Sequence, residues 1–257
     1  MDMDILAHVN ALIEKGTTFC LVTVVASSLE PVSAGQKSIV VADGTITGSF
    51  GYDRADQYVR SQALMYMSQK KSGIAWFEND LELFFNVIAS ETRLLICGAG
   101  HIAVPLAQFS VQAGFQVTVL DDRPDFAAAT RFPDCAVIAQ EFSPALKNMK
   151  LGPNVFVVVI TRGHEHDTEC LQEILPKQTE YIGLIGSRRR VRFVLEMLRS
   201  EGIPKKRLND VFTPIGIPIG AESPVEIALS IVAELVCVRR KGWQQARALR
   251  AAIGIDQ

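Results

Sequence analysis

The densest chemical signal in the chain is the turn Gly98-Ala99-Gly100-His101-Ile102-Ala103. It follows the β-forming run Arg93-Leu94-Leu95-Ile96-Cys97 and leads into an apolar helical stretch. A Gly-x-Gly-x-x-Ala turn between strand and helix is suited to holding an anion. Gly98 permits the tight turn, Gly100 lets backbone approach a phosphate, and Ala103 lets the helix pack close on the strand. The helix N-terminus then offers unpaired N–H groups and a partial positive charge. Pro105 fits if the helix begins near Ile102, because its missing N–H then falls among those unpaired donors. Asp121 ends the next strand, at the spacing of roughly 20 residues expected for an acid on a ribose hydroxyl. The neighbouring Arg123 is the alternative, as the acceptor of a 2′-phosphate. A salt-bridged turn is the plain structural reading of Asp121-Asp122-Arg123.

Further polar loops follow later strands. Thr161-Arg162-Gly163-His164-Glu165-His166-Asp167 succeeds one, Gly186-Ser187-Arg188-Arg189-Arg190 another, and Thr213 to Gly220 lead to the last predicted helix. In a doubly wound sheet such loops gather beyond the carboxyl ends of the strands. That places His101, His164 and His166, three of the four histidines, on one predicted rim. His164-x-His166 with Asp167 has borderline metal donors, but spacing fixes no further ligand. Contact of the two histidines with an anion or substrate is the preferred reading, with no metal assigned and Asp167 capping a helix. Gly186, Ser187 and Arg188 make a phosphate clamp of backbone N–H groups, a hydroxyl and a guanidinium fork. An arginine at a helix start is otherwise unfavourable. Cys97 reads as a small apolar residue ending a buried strand, and Glu226 as the partner of Ser223 in a capping box.

The elements that must position these residues follow two patterns, which change near residue 90. The N-terminal part reads as a small α+β unit over residues 1–90. An amphipathic helix carries Ile5, Leu6, Val9, Leu12 and Ile13 and stops at Gly16, and a β run spans Phe19 to Val25. Then come a hairpin with a two-residue turn at Asp43-Gly44, a helix from Ala55 to Gln69, and a second hairpin turning at Asn79-Asp80. Over residues 91–257 strands and helices alternate. The strands predicted are Leu94–Cys97, Val117–Leu120, Ala136–Ala139, Val155–Ile160 and Tyr181–Ile185. An unbroken run such as Val155 to Ile160 signals a strand covered on both faces, so the class is α/β with a Rossmann-like doubly wound parallel sheet. Ser223, Pro224 and Glu226 start the last predicted helix, which runs to Arg240.

Bulk properties exclude other classes. With 48% hydrophobic and 21% charged residues among 257, the chain can bury a full core. A formal charge of -2 argues against a nucleic-acid binder. No apolar run reaches the ~20 residues of a membrane span. Five scattered cysteines without C-x-x-C spacing, and an acidic start without a signal-peptide n-region, point to a reduced cytoplasmic setting.

Beyond the glycine turn, further segments occur in a telling order: Leu120-Asp121-Asp122-Arg123, Arg131-Phe132-Pro133, the Thr161 to Asp167 loop, Tyr181 to Arg189, and Ser223 to Ile231. Together they resemble the XdhC/CoxI family, the xanthine dehydrogenase accessory proteins. The resemblance implies a maturation factor rather than a turnover enzyme, one that binds molybdenum cofactor (molybdopterin) as cargo. It implies help in sulfurating that cargo and inserting it into a xanthine dehydrogenase-type molybdoenzyme, with a cysteine desulfurase as a further partner and a homodimer as the assembly. The cofactor-binding residues carried forward are Gly98, Gly100, His101, Asp121, Arg123, Arg162, His164, His166, Gly186, Ser187 and Arg188, with no catalytic residue assigned. The N-terminal half departs from the family's glycine-rich turn, reading Gly48-Ser49-Phe50-Gly51-Tyr52-Asp53. Two other readings compete: a free-standing NAD(P)-dependent oxidoreductase, and a non-catalytic nucleotide-binding scaffold.

Overall fold

A computed structural model describes residues 2–89 and 91–253. The chain divides into two compact units, Met1–Ser90 and Glu91–Gln257. The first unit contains α1 (Asp2–Glu14), β1 (Phe19–Ser27), β2 (Lys37–Val41), β3 (Ile46–Thr47), α2 (Asp53–Gln69), β4 (Gly73–Phe77) and β5 (Leu81–Ile88). Its antiparallel sheet has the order β3-β2-β1-β5-β4. Alternation along β1 and β5 buries Cys20, Val22, Val24, Leu81, Leu83 and Phe85 on one face, where α2 packs with Ala55, Val59 and Ala63.

Both hairpins turn differently from expectation. The first loops through three residues, with the Val41 N–H donating to the Thr45 carbonyl and Gly44 at φ 85°. A glycine in that left-handed region suits a three-residue loop as well as a two-residue one. The second turns one residue earlier, with Glu78 and Asn79 at φ 50° and 60°. The interrupted glycine run also has a physical reason. Phe50 is a core residue, 3% exposed, and its N–H donates to Asp56 on α2 at 3.0 Å. That turn is filled by its own side chain and its Phe50 amide is already satisfied.

The second unit contains β6 (Arg93–Cys97), α3 (Ala103–Gln112), β7 (Gln116–Asp121), β8 (Ala136–Ala139), α4 (Phe142–Asn148), β9 (Val155–Val159), α5 (His164–Ile174), β10 (Tyr181–Leu184), α6 (Arg188–Ser200), α7 (Lys205–Asn209), β11 (Val211–Phe212), α8 (Pro224–Lys241) and α9 (Trp243–Ala252). The sheet order is β11-β10-β9-β6-β7-β8, and all its pairings are parallel. Numbered within the unit that is 6-5-4-1-2-3, the dinucleotide-binding order of a Rossmann fold. Period-two alternation divides the core into two layers. Leu94, Ile96, Phe156 and Val158 face the side covered by α3 and α8, whereas Leu95, Cys97, Val155, Val157 and Val159 face α4, α5 and α6.

Three elements near the end, α7, β11 and α9, are not predicted by the sequence. β11 pairs with β10, and α9 is held by a buried polar knot. The Glu234 carboxylate on α8 accepts from the Tyr181 hydroxyl, the Gly216 N–H at 3.1 Å and the Arg250 guanidinium at 2.7 Å. Glu234 and Arg250 are 0% and 3% exposed. Burial, reinforced by the Glu234 carboxylate, pushes the Tyr181 phenol well above its ordinary range. Glu234→Ala leaves Arg250 buried without its counter-charge, and is expected to cost about 3–5 kcal/mol. Urea denaturation followed by fluorescence checks this; a loss below ~1 kcal/mol would show that the knot contributes little.

Candidate functional site

The order in which successive strands are added reverses between β6 and β9, and ligands of open α/β sheets bind beyond the strand carboxyl ends at such a point. The turn after β6 is shaped by the strand beside it. Gly98 sits at φ 110°, and a Cβ there would lie 2.5 Å from the Ile160 carbonyl oxygen and 3.1 Å from the Thr161 Cα. Gly98 therefore serves close backbone approach as well as a tight turn. Gly100 is different: a Cβ would meet nothing within 4 Å, and its φ lies outside the left-handed region. No neighbouring atom of the chain requires a glycine there, and open space remains beside its backbone.

The turn is anchored from below. The Gly98 N–H donates to the Leu120 carbonyl at 2.7 Å, and the Ala99 N–H to Asp121 at 2.7 Å. Arg131 donates to the Ala99 carbonyl at 2.9 Å and to the Phe126 carbonyl at 2.6 Å. Among the described residues, the amides of Gly100, His101 and Ile102 find no acceptor. They precede α3 directly, so unpaired donors and the positive helix end point into the same mouth.

Asp121 is 1% exposed and fully engaged: besides Ala99 it accepts from the Arg123 N–H at 3.0 Å and from the Arg123 guanidinium at 2.8 and 2.9 Å. Burial pushes this carboxyl up, but the Arg123 and amide hydrogen bonds outweigh it and hold the carboxyl below its ordinary value. The salt-bridged turn is what the structure shows, and a ribose could reach Asp121 only by displacing Arg123. Arg123 itself lies over the Phe126 ring, 3.7 Å from its centroid.

The other acid of this turn, the half-buried Asp122, is gripped by Arg162 through two hydrogen bonds of 2.5 and 2.7 Å. Because β6 lies between β7 and β9, this ion pair joins the loops on either side of the glycine turn. The Arg162 hydrogen bonds, against some desolvation, hold the Asp122 carboxyl at about 2. Sequence reasoning assigned Arg162 to a ligand without seeing its partner; the acidic pair after the second strand was the available signal.

His164 and His166 do not act together. Helix α5 begins at His164, with Gly163 as N-cap, and residues two apart on a helix point to different sides. His164 packs edge-on against Phe193 of α6, whereas His166 faces Phe142 of α4 and Glu169. Asp167 caps nothing. It is 0% exposed, accepts from the Thr161 hydroxyl at 2.6 Å and from the Arg190 Nε at 2.7 Å, and so ties the β9 loop to α6. Burial pushes its carboxyl up, against those two hydrogen bonds.

Ser187 is the N-cap of α6 and accepts from the Arg190 N–H at 3.3 Å, with its own hydroxyl proton left to donate. Gly186, Ser187 and Arg188 do not form a single clamp. A cleft of about 480 Å³ is lined by His164, Ser187, Arg189, Arg190 and Phe193, whereas Arg188 lines another on the α7 side of α6. Arg189 and Arg190 thus replace Arg188 beside His164, a distinction that depends on helix phase and is invisible in a run of three arginines.

Comparison with known proteins follows the same division of the chain. Residues 94–235 match the family model of the XdhC Rossmann domain, and residues 12–77 that of the XdhC and CoxI family. The chain belongs to the XdhC and CoxI family. The second match spans the departed glycine turn, so this XdhC/CoxI chain keeps the N-terminal unit of its family with Phe50 in the core. It is similar to the uncharacterized protein YqeB of Escherichia coli K12, 27% identical over 92% of this chain and 46% of that protein. It is also similar to a probable xanthine dehydrogenase subunit of Bacillus subtilis 168, 32% identical over 64% of this chain and 48% of that protein. It spans about half the length of these curated relatives. A crystal structure of a xanthine dehydrogenase from Bacillus halodurans shares the fold at TM-score 0.63 and 26% identity, covering 97% of this chain and 70% of that one.

The assembled site offers unpaired amides, one free hydroxyl proton and a guanidinium held by a half-buried acid. This arrangement can bind an anion, and no described cysteine opens on it. Cys20, Cys97 and Cys170 are buried, and burial pushes the Cys20 thiol up to about 12 and raises those of Cys135 and Cys170. Such thiols are weak nucleophiles.

The Arg162–Asp122 pair yields a pH prediction. The folded carboxyl value lies below the ordinary 3.8, so the pair's stabilisation is complete above that value and fades as pH falls toward about 2. A carbon-detected NMR titration should place the Asp122 midpoint near 2 and move it up toward 3.8 in Arg162→Gln. An unmoved midpoint in the variant would contradict the pairing.

Proposed function

We propose that this chain is an accessory factor of a xanthine dehydrogenase-type molybdoenzyme that holds molybdenum cofactor by its phosphate at the mouth of the glycine turn. The observation that carries the reading is the set of unpaired Gly100, His101 and Ile102 amides beside the open space at Gly100. A phosphate accepts several N–H groups at a helix N-terminus without needing a counter-charged side chain. Arg162 stands at the edge of the same mouth, already oriented by Asp122. A surface pair of this kind is worth about 0–1 kcal/mol, so an incoming phosphate can take over the guanidinium at little cost. The bound cargo supplies the molybdenum chemistry; this chain binds, orients and shields it.

Sulfuration in this scheme uses sulfur from outside the chain. Burial raises the Cys20 and Cys170 thiols and so disfavours a persulfide relay through them, which agrees with a cysteine desulfurase as an additional partner. A homodimer and a cytoplasmic location belong to the same proposal. The described residues contain no helix long and apolar enough to cross a membrane.

The strand order and the Gly-x-Gly-x-x-Ala turn also favour a nicotinamide nucleotide as ligand. The engagement of Asp121 by Ala99 and Arg123 weighs against it, because the ribose then lacks its usual acid. Calorimetric titration of the purified protein with molybdopterin, NADH and NADPH separates these readings. Molybdopterin binding without nicotinamide binding supports the accessory factor, and the reverse overturns it.

Gly100→Val supplies the control. A Cβ at Gly100 meets no atom, so the thermal midpoint should stay within ~2 °C of wild type. Molybdopterin affinity should fall by at least ~10-fold, about 1.4 kcal/mol. Unchanged affinity in a folded Gly100→Val protein would remove the ligand from this mouth.

A further inference from the structure

A separate cleft lies on the α7 side of α6. It encloses about 450 Å³ between α6, α7 and the Thr213-Pro214 segment that follows β11. Its floor is apolar: Val191 and Leu208 are buried, Leu195 is half-buried, and Pro214 closes one end. Its rim is cationic. Arg188, Arg192 and Arg199 stand at i, i+4 and i+11 along one face of α6, a span of about 16 Å, and Lys205 faces them from α7.

These cations differ from the four arginines whose ion pairs are described above. Arg123, Arg162, Arg190 and Arg250 each meet a carboxylate. Among the described residues Arg188, Arg192, Arg199 and Lys205 meet none, although Glu196 lines the same cleft. The chain carries 28 acidic residues against 26 Lys and Arg, so counter-charges were not scarce. Arg188 occupies the first turn of α6, where the positive helix end opposes a cation. On the wall of the cleft, the Thr213 hydroxyl oxygen is buried without a hydrogen-bond partner. An unmatched cationic rim over an apolar floor is complementary to an anion that has a flat apolar body.

We propose that this cleft is a second ligand site, taking a small molecule that joins a phosphate to an aromatic ring system, of the size of a nucleoside monophosphate. Its volume falls within the roughly 300–1,000 Å³ of small-molecule sites. The guanidinium groups of Arg188 and Arg192 fork onto the phosphate. The ring lies on Val191, Leu195 and Leu208. The site is distinct from the glycine-turn mouth, and the proposal stands whether or not that mouth holds molybdenum cofactor.

The test is an amide-resolved NMR titration of the full chain with AMP, and with pyrophosphate as a probe lacking the ring. AMP should shift the amides of Val191, Leu195 and Leu208, in wild type and in Gly100→Val alike, and pyrophosphate should act on the same residues more weakly. Arg188→Gln/Arg192→Gln should weaken AMP at these residues at least ~10-fold, and Lys205→Gln should weaken it without touching α6. No shift of the cleft amides at ~5 mM AMP would overturn the site. So would shifts that vanish in Gly100→Val while Arg188→Gln/Arg192→Gln leaves them intact. A glutamate-rich peptide that moves these amides where AMP does not would make the cleft a protein-docking groove instead.

Discussion

The site depends on one close approach of two backbones. Where β6 and β9 diverge, Gly98 passes so near the Ile160 carbonyl that a methyl group would lie 2.5 Å from it. Nothing larger than hydrogen fits, and the chain turns there at φ 110°. Once that turn is fixed, the Ala99 N–H falls onto Asp121 and the amides of Gly100, His101 and Ile102 are left facing out. Donors are available there because the first N–H groups of a helix have no preceding turn to accept them.

Around this turn the charged side chains mostly position backbone. Asp121 and Arg131 hold Ala99 from its N–H and its carbonyl, and Arg123 completes the Asp121 shell. Asp167 and Arg190 lock the start of α5 to the start of α6. These buried or half-buried links cost desolvation and recover it through several hydrogen bonds each. In the Arg162–Asp122 pair, by contrast, the guanidinium is exposed, and exposure is what allows it to change partners. A rigid floor and an exchangeable rim together favour binding a bulky anion and later releasing it.

Much of this was legible in the residues. The parallel sheet was legible in short, β-branched apolar runs such as Val155 to Val159, whose length and composition fit a strand covered on both faces. The glycine turn was legible because its spacing reports close approach directly. Four features were not. Asp121 looked free because its partners, Ala99 and Arg123, are set by the fold and by a side-chain rotamer. His164 and His166 look paired because nothing in the residues marks the start of α5 at His164, and helical phase is undefined without that start. Arg188 looked like part of the clamp because a run of arginines does not say which lies on which side of the helix. The short strand β11 and the helix α9 went unseen because Val211-Phe212 is too brief for periodicity and the Glu234–Arg250 contact is long-range.

The most direct measurement is of the donors themselves. With the protein saturated by molybdopterin, an NMR experiment that detects coupling from amide nitrogen to phosphorus reads hydrogen bonds to the phosphate residue by residue. Couplings at Gly100, His101 or Ile102 would confirm that the outward-facing amides hold the anion. Tight binding with those amides uncoupled and unshifted would contradict it, and would place the phosphate elsewhere on the sheet's carboxyl edge.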